Sequence, residues 1–249
     1  MGQLKSTFSA IGFIIACLLV SCSSDGDPNS SGGTLLKKIV QTYDDGEAYI
    51  ATYHYNGNKL NYISMDEGKI VYSYSGDRIS AVSWQNAAGL ENIHTGLDYD
   101  SSGRLSHLSN FYVGPDFENY TDYTYNDDGT VSEVDHLWDE SEGGYSVENR
   151  KLFFSGNDLI KIERYLPEGT AVIEYGYDDK INPFHDIAGY DKLLTFDASP
   201  HNAISELHSG ADGSVFIQAN STFEYDQAGR PTSSQRTQNG STMTTGYFY

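Results

Sequence analysis

The sequence predicts an all-β protein made of repeated antiparallel β-hairpins, joined into one large curled sheet or closed into a barrel. Three observations carry this. A motif recurs nine times: ring or aliphatic residues flank one position, and a polar or glycine turn, a basic or polar residue and an aliphatic one follow. Its second ring falls at Tyr55, Tyr74, Tyr99, Tyr125, Phe154, Tyr177, Phe196, Tyr225 and Tyr249. The intervals of 19 to 29 residues each hold two strands and their turns. No window from residue 39 onward sustains the i, i+3, i+4, i+7 apolar spacing of a helix.

Taken in order, the repeats differ first in their turns. Asn56-Gly57-Asn58, Ser75-Gly76-Asp77 and Ser155-Gly156-Asn157 set a glycine beside Asn or Asp, which suits the positive φ of a tight primed turn. Asp100-Ser101-Ser102-Gly103, Asn126-Asp127-Asp128-Gly129 and Asp226-Gln227-Ala228-Gly229 predict a type I turn closed by a glycine bulge, with the leading Asx accepting from the backbone two residues on. Repeat five carries Leu152-Phe153-Phe154, repeat seven carries Leu194-Thr195-Phe196 followed by Pro200, and Pro231 replaces the usual aliphatic after the eighth turn. Proline cannot donate to a ladder, so the last two departures predict an edge position or a strand break.

Side chains two apart share a face of a strand, so both rings of each Tyr-x-Tyr pair point the same way and are expected to stack into cross-strand ladders. The aliphatics after each turn, Leu60/Ile63, Ile79/Val82, Leu105/Leu108 and Val131/Val134, are three apart. Either a bulge intervenes or both faces are partly covered. The chain ends on Tyr247-Phe248-Tyr249, half of a ninth unit, which is expected to pair with the preceding strand or close against an early one. The total is about 16 to 18 strands, two per repeat.

Residues 1–21 carry one lysine, no acid and the apolar run Ile11 to Val20, the pattern of an export signal. The run ends in Leu19-Val20-Ser21-Cys22, which resembles a bacterial lipobox, and that resemblance implies lipidation of Cys22. Cys17 would leave with the signal, so the mature chain would offer no free thiol for a disulfide, a metal or a nucleophile. Residues 22–35 read as a flexible tether, and 36–249 as one repeat-built β domain. The acidic stretch after Cys22 is similar to the export tag of surface-exposed lipoproteins of Bacteroidota. It implies a lipid-anchored outer-membrane protein displayed at the cell surface, with the periplasmic face as the alternative. Without Lys5 the 15 basic residues become 14, against 35 acidic ones, a formal charge near −21. Such a chain repels phosphate, so nucleic acid is not an expected partner.

The pattern at Leu97 to Leu105 and at Phe223 to Arg230 is similar to the YD repeats of RHS-type bacterial surface and toxin-shell proteins. With the lipobox and with Tyr177-Asp178-Asp179-Lys180-Ile181-Asn182-Pro183-Phe184 interrupting the sixth repeat, the chain resembles a family of Bacteroidota lipoproteins of unknown function with a porin-like fold. That family implies architecture and no catalytic residues.

No dinucleotide, phosphate-loop or nucleophile-elbow motif occurs. The seven histidines form no close pair with ligand spacing, and Asp98-Tyr99-Asp100 lacks the twelfth-position Glu of a calcium loop, where Ser109 stands. No cofactor is expected. The one candidate for ligand binding is a stretch expected to be a longer loop, in which Asp135, Asp139, Glu140 and Glu142 bracket Trp138 and Tyr145; rings beside acids suit a sugar. The reading is therefore a non-enzymatic surface module that binds or scaffolds a glycan or another envelope protein. The alternatives are a glycan hydrolase using a carboxylate pair and an outer-membrane pore.

Overall fold

The computed structural model describes residues 34–113, 118–141 and 143–249; the signal segment, Cys22, most of the tether and Glu142 lie outside them. Sixteen strands form one closed antiparallel barrel in simple up-and-down order. They are β1 (Lys38–Tyr43), β2 (Ala48–Asn56), β3 (Lys59–Met65), β4 (Gly68–Ser75), β5 (Arg78–Asn86), β6 (Glu91–Tyr99), β7 (Leu105–Tyr112) and β8 (Glu118–Tyr125), then β9 (Val131–Asp139), β10 (Gly144–Ser155), β11 (Asp158–Leu166), β12 (Gly169–Ile181), β13 (His201–Ser209), β14 (Val215–Tyr225), β15 (Pro231–Gln238) and β16 (Ser241–Phe248). The expected strand number and hairpin repeat are both present.

Ring pairs lie toward one end of β2, β4, β8, β12, β14 and β16, and Leu97 with Tyr99 toward that of β6, so the tyrosines gather at one end of the barrel, on its inner face. The expected ring ladders do not run continuously along the wall, because each ring-bearing strand is separated from the next by an aliphatic-bearing one. Two strand spacings, about 10 Å, lie between them, although Phe223 and Tyr247 reach across β15 to stack at 6.5 Å. Repeats are joined differently. In most repeats the second tyrosine bonds the backbone of the aliphatic residue one repeat back: Tyr99 Oη donates to Ile79 O (2.7 Å), Tyr125 Oη to Leu105 O (3.0 Å) and Tyr177 Oη to Leu159 O (2.8 Å), while Leu60 N donates to Tyr74 Oη (3.0 Å); Tyr225 Oη instead donates to the Asp178 carboxylate. The basic residue just before that aliphatic covers the same ring, as Arg78 does Tyr99 and Arg104 does Tyr125. One motif thus serves its own turn and the next repeat's ring.

Bulges settle the three-residue aliphatic spacing. In β2–β3, Tyr55 pairs with Leu60 and His54 with Tyr62, which leaves Asn61 extra and returns Ile63 to the inner face. β4–β5 and β6–β7 do the same. The β8–β9 hairpin has no such shift, so Val131 faces in, Val134 faces out, and Glu133 and Asp135 point into the barrel.

The seventh copy of the motif is not a hairpin. Phe196 lies in a short 3₁₀ turn within residues 182–200, a loop between β12 and β13 that folds into the tyrosine end as a plug. Ile187 packs against Leu36, Tyr53, Leu60 and Ile63, and Leu193 and Leu194 reach the aliphatics of later repeats. Pro200 closes that break, and Pro231 opens β15 at a bulge; neither marks an edge, since a closed barrel has none. Gly189 is wedged into the wall at φ 72, and a Cβ there would stand 2.6 Å from Asp77 O and 3.0 Å from Ile79 N. Gly189→Ala is expected to cost about 2 kcal/mol; a thermal midpoint equal to wild type would show that the plug is not seated there.

Eight complete hairpins remain, and the last is made from both ends of the chain. β16 pairs with β15 and with β1, and β1 supplies the return strand that Tyr247-Phe248-Tyr249 lacks. Leu36 and Ile39 repeat the Leu60/Ile63 spacing, and Tyr55 Oη donates to Leu36 O (2.7 Å) as its counterparts do elsewhere.

Candidate functional site

Trp138 and Asp139 end β9, Tyr145 follows the first residue of β10, and Glu140 is an exposed turn residue. The expected longer loop is instead a tight hairpin. Trp138 and Tyr145 are cross-strand partners on the outer wall, with ring centroids 5.4 Å apart and edge to face. Tyr120 and His136 continue the strip, stacked at 4.2 Å, and Tyr145 meets Tyr120 at 5.4 Å. Two of the four acids do not serve this surface. Asp139 accepts from Ser141 N (2.8 Å) and Ser141 Oγ (2.6 Å) within the turn, and Asp135 points to the opposite face. Asp122 stands beside the strip instead, 2.8 Å from His107 Nδ1 and 3.8 Å from His136 Nε2.

On the inner face, below the tyrosines, a charge network forms that no local motif in the sequence announces. Arg150 on β10 meets Glu133 (2.7 Å), Asp135 (2.7 Å) and Glu148 (2.7 Å), and Glu148 also accepts from Arg164 Nε (2.7 Å). Burial pushes the Glu133 carboxyl up to about 7, with Arg150 opposing and Asp135 adding to the rise. The bonds from Arg164 hold Glu148 down, at about 2. Farther round, Arg236 pairs with Glu206 (2.5 Å), which also meets His208 (2.5 Å). The signal that could have found this network is the missing bulge in β9, which inverts the parity of two acids.

These carboxylates serve as counter-ions to arginine. Asp100 accepts from Ser102 N (2.9 Å) and Arg104 N (3.0 Å), the turn geometry expected of it. Among the described residues no group of three His, Cys, Asp or Glu side chains is placed to hold a metal.

No protein-family model matches the chain, and no curated protein does. Two solved structures share its architecture. A porin-like protein from Bacteroides vulgatus is 13% identical, with a TM-score of 0.59 over 87% of this chain and 99% of that one. A porin-like protein from Bacteroides uniformis is 14% identical, with a TM-score of 0.55 over 86% and 98%. The chain has a porin-like fold. At these identities the likeness is one of fold alone.

The outer wall of this barrel carries charge. A barrel that spans a bilayer presents an apolar band outward and polar residues inward. In this porin-like barrel Tyr53, Tyr72, Tyr123 and Tyr175 face in, while Asp98, Asp122, Glu174 and Glu224 are exposed on the outer face.

Proposed function

We propose that this chain is a non-catalytic envelope lipoprotein, tethered through Cys22 to the outer membrane, whose barrel stands in water and binds a glycan or another envelope protein. The observation that carries this reading is the exposure of Asp122 and Glu174 on the outer face within β8 and β12, each costing on the order of 2 kcal/mol or more if placed against lipid. The entry of the chain at one end of the barrel supports the tether's position. Lys59, Arg78, Arg104, Lys192 and Arg230 lie at the tyrosine end, where the chain enters β1. The hairpin turns at the other end carry acids such as Asp45, Glu67, Glu140 and Asp212, and among the described residues no Lys or Arg. These cations are paired at this end, Lys59 with Asp77, Arg104 with Asp100 and Lys192 with Asp191, so the orientation follows from the path of the chain: a tether entering β1 here leaves the opposite rim and the Trp138/Tyr145 strip for a partner.

Protein beginning at Ser23 is expected to sediment as a folded species without detergent and to leave planar bilayers non-conducting. A requirement for detergent together with stepwise conductance would overturn the reading. On a glycan or envelope-protein array, Trp138→Ala and Tyr145→Ala should reduce binding several-fold.

A further inference from the structure

We infer that the seam between the plug and the wall at repeats four and five is a binding site for a neutral pyranose. The site is distinct from the outer Trp138/Tyr145 strip.

Both parts of the inter-repeat link are missing at this junction. Where other repeats place Lys59, Arg78, Arg104 or Arg230, the fourth has Thr130, and where a tyrosine would follow, the fifth has Phe154. There is neither a cation to lie over the ring nor a hydroxyl to reach back to the preceding repeat. Local departures from an otherwise self-consistent pattern are where function is to be sought. A cavity of about 300 Å³ opens here, bordered on the wall by Tyr125, Val131, Phe154 and Asn157 and on the plug by Leu193 and Thr195. A second, of about 250 Å³, shares Asn157, Asp191, Ala198 and Ser199 with it and continues toward Tyr190 and Phe184.

The lining selects the ligand. Phe154 and Leu193 provide an apolar surface for one face of a ring, and Asn157 and Thr195 provide amide and hydroxyl partners at its margin. The two cations at the rim are already neutralised, Arg104 by Asp100 at 2.7 Å and Lys192 by Asp191. A charged ligand would therefore gain little. A neutral ring with a C–H face and peripheral hydroxyls matches both halves, and about 300 Å³ is the lower bound of small-ligand sites, room for one sugar unit.

The test is saturation-transfer NMR on the protein beginning at Ser23, with the methyl pyranosides of glucose, galactose, mannose and N-acetylglucosamine as probes. At least one should receive saturation from the protein. Thr130→Arg with Phe154→Tyr, which restores the repeat, should abolish that transfer while holding or raising the thermal midpoint. Thr195→Trp, at an exposed mouth position, should block it without touching the wall. Trp138→Ala should leave it intact, which separates this site from the outer strip. Transfer to none of the four sugars, or transfer that survives both filling variants, would overturn the inference. Transfer lost only in Trp138→Ala would also overturn it, while keeping the reading of a binding module.

Discussion

Removing Tyr247–Tyr249 is expected to abolish cooperative unfolding of the barrel. These residues complete the eighth hairpin, whose other strand is β1, from the opposite end of the domain. Tyr247 pairs with Ile39, its hydroxyl lies 3.0 Å from Ser234 Oγ, and Lys37 N donates to Phe248 O at 2.7 Å. Deleting a buried aromatic costs about 3 to 5 kcal/mol, and each lost closing hydrogen bond about 1 more. The sum rivals the whole stability of a typical domain, about 5 to 15 kcal/mol. Lys38 and Ile39 of β1 would lose their partners Phe248 and Tyr247, and that opened stretch of edge would invite association between copies. Far-UV circular dichroism through a urea titration, with light scattering alongside, should show a broad transition and aggregates. A midpoint unchanged from wild type would mean that the closing seam contributes nothing. Tyr247→Phe removes only the hydroxyl and is expected to cost about 1 kcal/mol.

The closing seam also shows what the sequence made legible. Ring pairs, turn glycines and strand number could be read because each is local: a period of two, a positive φ, a length. Even the half repeat at Tyr249 announced a missing partner. That Leu36 and Ile39 supply it was written in the same spacing as Leu60 and Ile63, but two residues give too little pattern to recognise alone. Phe196 misled because Leu194-Thr195-Phe196 has the ring spacing of a strand without the turn and return strand that make a hairpin. Continuous ring ladders are absent for a topological reason, since tyrosines in successive repeats are never on adjacent strands, and a contact such as Phe223 with Tyr247 has to reach across a whole strand.

The candidate site divides in the same way. Trp138 and Tyr145 come together because a tight hairpin pairs them, and the sequence supplied both names. Tyr120 and His136 join them only through strand register. The luminal acids were hidden by a single residue of parity. With a bulge after Val131, as in the β2–β3 hairpin, Glu133 and Asp135 would have faced water.

That parity gives the second large effect. Arg150→Met should leave Glu133, Asp135 and Glu148 facing one another with their shared cation gone, a loss of about 3 kcal/mol at neutral pH. The size of the loss should depend on pH, and its sign follows from Glu133. Its carboxyl titrates at about 7 in the barrel against an ordinary value of 4.5, so the folded chain holds a proton that the unfolded chain releases between those values. Stability contributed by Glu133 is therefore complete below about 4.5 and declines as pH rises to about 7. Glu148 acts in the opposite sense: held at about 2, it contributes above 4.5 and fades as pH falls toward 2. Wild-type unfolding free energy should accordingly fall between pH 5 and pH 7.5 by the Glu133 contribution, and Glu133→Gln should flatten that decline. Arg150→Met should be hurt more at pH 8, where Glu133 has lost its proton, than at pH 5, where Glu133 keeps it. Urea titrations of the three proteins at both pH values decide it. Equal losses for Arg150→Met at pH 5 and pH 8 would mean that three carboxylates do not compete for one guanidinium inside this barrel.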